Sequence, residues 1–146
     1  MASIMYNEGK SALASGLNWA SGVDGDIVVA LVSSQYEVDN GPDVIPDHTY
    51  SDVSSYFVTG TNAQIMPITG RAVVQDNAAD VTRLTGDNVT WQGLNTNEEV
   101  GGAVVFVNAA GDHYQKLLAF LDFSNVATNG SDVVLQFAGG VVIEAR

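Results

Sequence analysis

The 146-residue chain contains no cysteine, so disulfides and thiolate metal sites cannot hold it together and no cysteine nucleophile exists. Histidine is nearly as scarce: His48 and His113 fall in no metal-ligating spacing such as His-x-x-x-His. Each stands beside an aspartate in a stretch that reads as loop, where an exposed histidine is the ordinary outcome. Basic residues are few, with five Lys plus Arg against 17 Asp plus Glu and a formal net charge of −12. Such a surface repels nucleic acid and anionic membranes, because phosphate binding depends on clustered Lys and Arg. The acidic excess serves either solubility alone or a complementary basic partner, and charge by itself does not separate the two. No run approaches the roughly 18 apolar residues of a membrane span. Met1-Ala-Ser-Ile-Met-Tyr-Asn-Glu lacks the basic and apolar regions of a secretory signal, so the expected setting is an aqueous cytoplasm. Also missing are the Gly-x-Ser-x-Gly elbow of serine hydrolases and the glycine loops that cradle phosphate.

What is present is an apolar share of 46%, enough for a globular domain with a core of its own, and the simplest organisation is one domain over residues 1–146. Its centre is read from two apolar runs, Gly102-Ala-Val-Val-Phe-Val-Asn108 and Lys116-Leu-Leu-Ala-Phe-Leu-Asp-Phe123. Joined across Ala-Ala-Gly-Asp, they predict a buried hairpin at the middle of a sheet. Alternation vanishes in Leu117 to Leu121, which implies cover on both faces. A third run, Ile27 to Val32, is rich in β-branched residues and predicts another doubly covered strand.

Around these runs the chain is punctuated. A helical segment is expected over about 5–19, with Asn7 as cap, Glu8 in the first turn, the helix proper from Asn7 to Ser15 and Gly16 ending it. An acidic loop follows over about 35–48, and Thr49 to Phe57 predicts a second short helix with Tyr50, Val53 and Phe57 on one face. Short strands are then expected near Gln64–Ile68, Arg71–Gln75, Val81–Leu84, Val89–Gln92, Ala103–Asn108, Lys116–Phe123, Val133–Phe137 and Val141–Glu144. Val89 and Trp91 against Thr90 and Gln92 imply one buried and one wet side. Gly139-Gly140 reads as a tight hairpin closing the chain on itself. The fold class is therefore mainly β: an antiparallel β-sandwich or barrel-like domain with one or two short helices packed on it.

Candidate chemistry is thin. The Glu37 to Asp47 loop offers several carboxylates for calcium but departs from the EF-hand pattern, and Asp24-Gly-Asp26 is explained as a turn. Paired acids of a glycosidase type arise by chance among 17 carboxylates and name no site. Tyr36, Tyr50, Tyr56 and Tyr114 with Trp19 furnish either a sugar- or protein-binding patch or aromatic residues shared between core and rim. The residues name no catalytic group, no metal site and no cofactor, so function is expected to lie in a surface.

The layout of Tyr6-Asn-Glu-Gly-Lys, Asn18-Trp19, Ile27-Val-Val-Ala-Leu-Val-Ser-Ser with Tyr36, Leu84-Thr-Gly-Asp-Asn-Val-Thr-Trp91, Gly102-Ala-Val-Val-Phe and Leu118-Ala-Phe-Leu-Asp-Phe123 resembles small structural proteins of tailed bacteriophages. The match covers most of the chain as an order of strands with a few signature residues. It departs where similar proteins carry a Gly-Tyr pair and this chain has Phe57-Val-Thr-Gly60. The resemblance implies a non-enzymatic virion protein made in the host cytoplasm: a decoration or cement protein on the capsid exterior, or a tail or neck component. The implied partners are the major capsid protein or other virion proteins, with a homo-oligomer, a trimer by preference, and no nucleic acid or membrane. A carbohydrate-binding module is the competing class. The N-terminal segment and the acidic loop, as parts outside the strand pattern, are the expected contact surfaces, with Tyr6, Trp19, Tyr36, Glu37, Asp39 and Asp43 as the named residues.

Overall fold

A computed structural model of the chain describes residues 2–20, 26–36, 49–96, 98–108 and 115–145. Its main sheet begins with the first residues, Ala2–Met5 (β1), which pair antiparallel with Leu117–Val126 (β10). β10 pairs with Val100–Val107 (β9), β9 with Ile27–Ser33 (β2), and β2 with the two-residue strand Met66–Pro67 (β4). The order is β1-β10-β9-β2-β4, antiparallel throughout, which puts the expected hairpin strand β9 in the middle. Three smaller sheets complete the strands. Ala72–Asp76 (β5), Val81–Thr85 (β6) and Val141–Ala145 (β12) lie in the order β12-β6-β5. Val89–Trp91 (β7) pairs with Val133–Leu135 (β11), and Gly60–Thr61 (β3) with Asn95–Thr96 (β8). The fold is mainly β with antiparallel sheets and two short helices, Asn7–Ala14 (α1) and Tyr50–Ser54 (α2). Among the described residues the main sheet is open, with β1 and β4 as its edges, and no closed barrel forms.

Every residue of β2 is buried, and alternate residues enter different clusters. Ile27, Val29 and Leu31 join Ala103, Val105, Ala119 and Leu121 against Leu84, Val89, Trp91, Leu135 and Ile143 of the smaller sheets. Val28, Ala30 and Val32 join Val104, Phe106, Leu117 and Phe120 beneath Val53, Tyr6 and Tyr36. Unbroken apolarity in β2, β9 and β10 thus reflects two packed faces, as a period-two strand requires. Leu118 sits at a register shift between Leu117 and Ala119, a bulge that places both Leu118 and Ala119 in the first cluster.

Local chemistry explains the helix ends, with corrections. Asn7 is the first helical residue and not the cap; Tyr6 holds that position with extended backbone and no side-chain cap bond. Tyr6 is fixed there because its N–H donates to Leu118 O at 3.1 Å, so α1 begins where β1 leaves β10. Glu8 accepts from the Leu117 N–H at 3.1 Å and pairs with Lys116 at 3.3 Å, tying the first turn to the start of β10. At the other end Leu17 N–H reaches Ala12 O and Gly16 N–H reaches Leu13 O, with Gly16 at φ 100°, a Schellman stop. The helix therefore spans Asn7–Ala14 within the expected 5–19 segment. α2 is shorter than Thr49 to Phe57: Asp52 accepts from the Thr49 N–H at 3.1 Å to start it. It stops at Ser54, and Phe57 instead bridges Val32.

Three further expectations fail in the structure. Gly139 and Gly140 adopt positive φ, as expected of a turn, but they close a single 3-10 turn over Ala138–Gly140. The strands on either side go to different sheets, β11 to β7 and β12 to β6, so no terminal hairpin forms. The N-terminal segment, expected outside the sheet, is its edge strand. The strand expected over Gln64–Ile68 is reduced to Met66–Pro67, because proline limits pairing and suits an edge.

Candidate functional site

The residues proposed for contact divide three ways. Tyr6 and Tyr36 are each 5% exposed, and their hydroxyls meet at 2.7 Å. The Tyr36 ring packs edge-on to Phe120 at 5.2 Å and tilted against Tyr56 at 5.3 Å. Buried hydroxyls need partners, and these two supply each other. Trp19, 1% exposed, lies in the cluster on the opposite face of the main sheet, its Nε1–H donating to Thr85 O at 2.8 Å. The structure therefore puts Tyr6, Trp19 and Tyr36 into the core in place of a contact surface, and separates Trp19 from Tyr36 by the sheet. Glu37, Asp39 and Asp43 lie outside the described residues, as do most of the acidic loop, Asp24, His48, His113 and Tyr114. Among the described residues no group of three or more His, Asp or Glu is placed to hold a metal ion.

Arg71 helps to fix the Trp19 region. Its Nε–H donates to Trp19 O at 2.8 Å and its guanidinium to Ile68 O at 2.6 Å. The remaining aromatic residues form a stack on the α2 side: Tyr50 lies 5.1 Å and Phe57 5.8 Å from Phe106, ring centre to ring centre. Beside that stack opens a groove of about 450 Å³ between α2 and the segment around Gln64, lined by Tyr50, Phe57, Val58, Ile65 and Trp91 with Ser54, Ser55 and Gln64 at its polar margin. The Trp91 indole N–H is used internally, donating to Gln64 O at 2.8 Å. What the groove offers is apolar area with hydroxyl and amide groups at its rim, suited to binding and not to proton transfer.

The described ionic arrangement with shifted titration is on β5, β6 and β12. Arg83 donates to Asp76 at 2.7 Å and to Glu144 at 3.3 Å, bridging the three strands. The hydrogen bond from Arg83 holds the Asp76 carboxyl below its ordinary value, helped by the Ala79 N–H, while the same bond raises Arg83. All three side chains are solvent-accessible by roughly three-tenths, so this is a surface clamp.

Sequence reasoning missed the apolar residues that do reach solvent: Ile65, Val73, Val74 and Val134. Adjacent Val73 and Val74 in β5 carry a usable signal, because two valines side by side in a strand must point to opposite faces. Only the folded arrangement shows that, among the described residues, both are left about half exposed. Compared with known protein families, curated proteins and solved structures, the chain matches none.

Proposed function

We propose that the protein is a non-enzymatic structural component of a tailed-bacteriophage virion, and within that class a decoration or cement protein bound to the outside of the capsid shell. The observation that carries this reading is the main sheet packed on both faces by the chain's own side chains, with Val29, Val32, Ala103, Val104, Val105 and Phe106 fully buried. Such a sheet is a rigid support, and partner contact falls to loops, edges and the groove beside α2. The resemblance of the segment order to small phage virion proteins and the charge of −12, which suits a basic receiving surface, support the same reading. A protein of this kind adds buried interface only in the assembled state and stabilises the shell by mass action. The carbohydrate-binding alternative loses Trp19 and Tyr36 as binding residues, since both are core.

The test is sedimentation with expanded capsids over a range of protein and salt concentrations. Saturable binding, at a copy number comparable with that of the shell protein by gel densitometry, is the expected result. Protein that stays in the supernatant at every salt concentration overturns the reading, and a few copies per particle reassign it to the tail or neck.

A further inference from the structure

β5 is anomalous for a strand in this protein. Ala72, Val73, Val74 and Gln75 are all exposed, with Val73 49% and Val74 47% accessible, although they lie on opposite faces. Among the described residues β5 pairs with β6 alone and forms the outer edge of the order β12-β6-β5. The register with β6 runs unbroken from Ala72↔Thr85 to Asp76↔Val81, so no bulge turns the edge away. Ala72 to Gln75 has no charge and no proline. Edge strands are ordinarily protected by Lys, Pro, a bulge or a covering element, and among the described residues β5 has none of these. The β4 edge, by contrast, carries Pro67.

We propose that β5 is a self-association edge, joining a second copy of this chain antiparallel across a two-fold axis at Val74 into one six-stranded sheet. A two-fold axis normal to a sheet keeps its faces, so opposed residues must come from the same face of the strand. Centring on Val74 meets that condition and uses the whole element: Val74 opposes Val74 of the second copy, Val73 opposes Gln75, and Ala72 opposes Asp76. Centring on Val73 would leave part of the strand unpaired. Charge selects a second copy as the occupant. The molecule as a whole carries −12, which opposes self-association, but in the residues next to the strands of this sheet Arg71 and Arg146 offset Asp80, and within the strands Arg83 stands with Asp76 and Glu144, so that the two signs balance. Both acids within the strands are bonded to Arg83. Here two acidic molecules meet with least repulsion, and a strongly charged partner strand would find no net charge to match. The inference does not rest on the virion reading, and a two-fold pair differs from the trimer that the resemblance implies.

The chain's lack of cysteine makes the test direct. Opposed residues in an antiparallel pair have Cα atoms about 4.5–5.5 Å apart, within disulfide reach. Val74→Cys should therefore cross-link to a dimer under mild oxidation, while Val134→Cys, an equally exposed valine in β11, should not. Light scattering on the wild-type protein should give twice the chain mass of 15.3 kDa, more readily at high salt, where the net charges are screened. Val74→Lys should return a single-chain mass with an unchanged far-ultraviolet circular dichroism spectrum. A single-chain mass for the wild type at every concentration, equal cross-linking of both cysteine variants, or an oligomer that survives Val74→Lys overturns the proposal. So does a trimer.

Discussion

Replacing Phe120 by alanine tests the second packed face of the main sheet at one of its enclosed aromatic residues. Phe120 is 4% exposed and sits in β10 directly opposite Val104 of β9. Its ring packs edge-on to Tyr36 and covers Gly102, where an added Cβ would lie 2.6 Å from the ring. Gly102 has no side chain to move into the space that Phe120→Ala opens, and Val104 and Leu117 are held by the sheet, so the cavity should persist. Large-to-small aromatic changes of this type cost about 3–5 kcal/mol, and the lost edge-on pair adds about 0.5–1.5 kcal/mol. In a domain of this size each kcal/mol moves the melting temperature by about 2–4 °C, so a fall of at least about 6 °C is expected. Urea and thermal melts followed by circular dichroism read the effect. Asp122→Ala, an exposed position two residues along the same strand, serves as the control and should change little. A loss below about 1 kcal/mol for Phe120→Ala would refute the packing argument. Phe120→Asp should abolish folding altogether, because it adds a charge without a partner to the same loss.

Gly9→Ala should destabilise by about 1–3 kcal/mol or more, since its Cβ would lie 2.7 Å from the Leu118 Cα, and helix and strand backbones must separate to admit it; urea unfolding measures this. Thr128→Val should cost about 1–3 kcal/mol in the same assay, because Thr128 Oγ1 accepts from the buried Thr96 N–H at 3.0 Å and that donor would lose its partner. Asp76, whose folded pKa is depressed below 3.8, contributes stability that is present above that value and is lost as pH falls through the folded pKa. Asp76→Asn should therefore lower the melting temperature at neutral pH and converge with the wild type at strongly acidic pH; parallel curves across that range would count against the clamp.

The strands that carry the main sheet were legible because their chemistry is local. Ile27 to Val32 and Leu117 to Leu121 are too apolar for a strand with a wet face, and both prove to be packed on two sides. Val89 and Trp91 alternate with Thr90 as half-buried strands do. What was not legible depends on pairing between distant segments. Ala2–Met5 is four residues without alternation, and it becomes a strand because β10 offers it an edge. Tyr6 and Tyr36 lie in polar stretches and read as surface residues, yet each satisfies the other's hydroxyl across 30 positions. Trp19 finds its acceptor, Thr85 O, 66 positions away. Gly139 and Gly140 correctly mark a reversal, but glycine conformations do not say which strands pair beyond it. The exposed edge of β5 was hidden for the converse reason, since Ala72 to Gln75 looks like any short strand until its neighbours are known.

The most direct test of the central claim, a sheet closed on both faces by its own chain, is native-state hydrogen exchange resolved to single amides. The amides of β9 from Ala103 to Phe106, flanked by β10 and β2 and buried on both sides, should exchange last and with the free energy of global unfolding. Those of β5 should exchange much sooner in single-chain protein such as Val74→Lys, apart from amides bonded to β6. If the β9 amides exchanged as fast as those of β5, the sheet would not be the rigid centre of the molecule and the account would be contradicted.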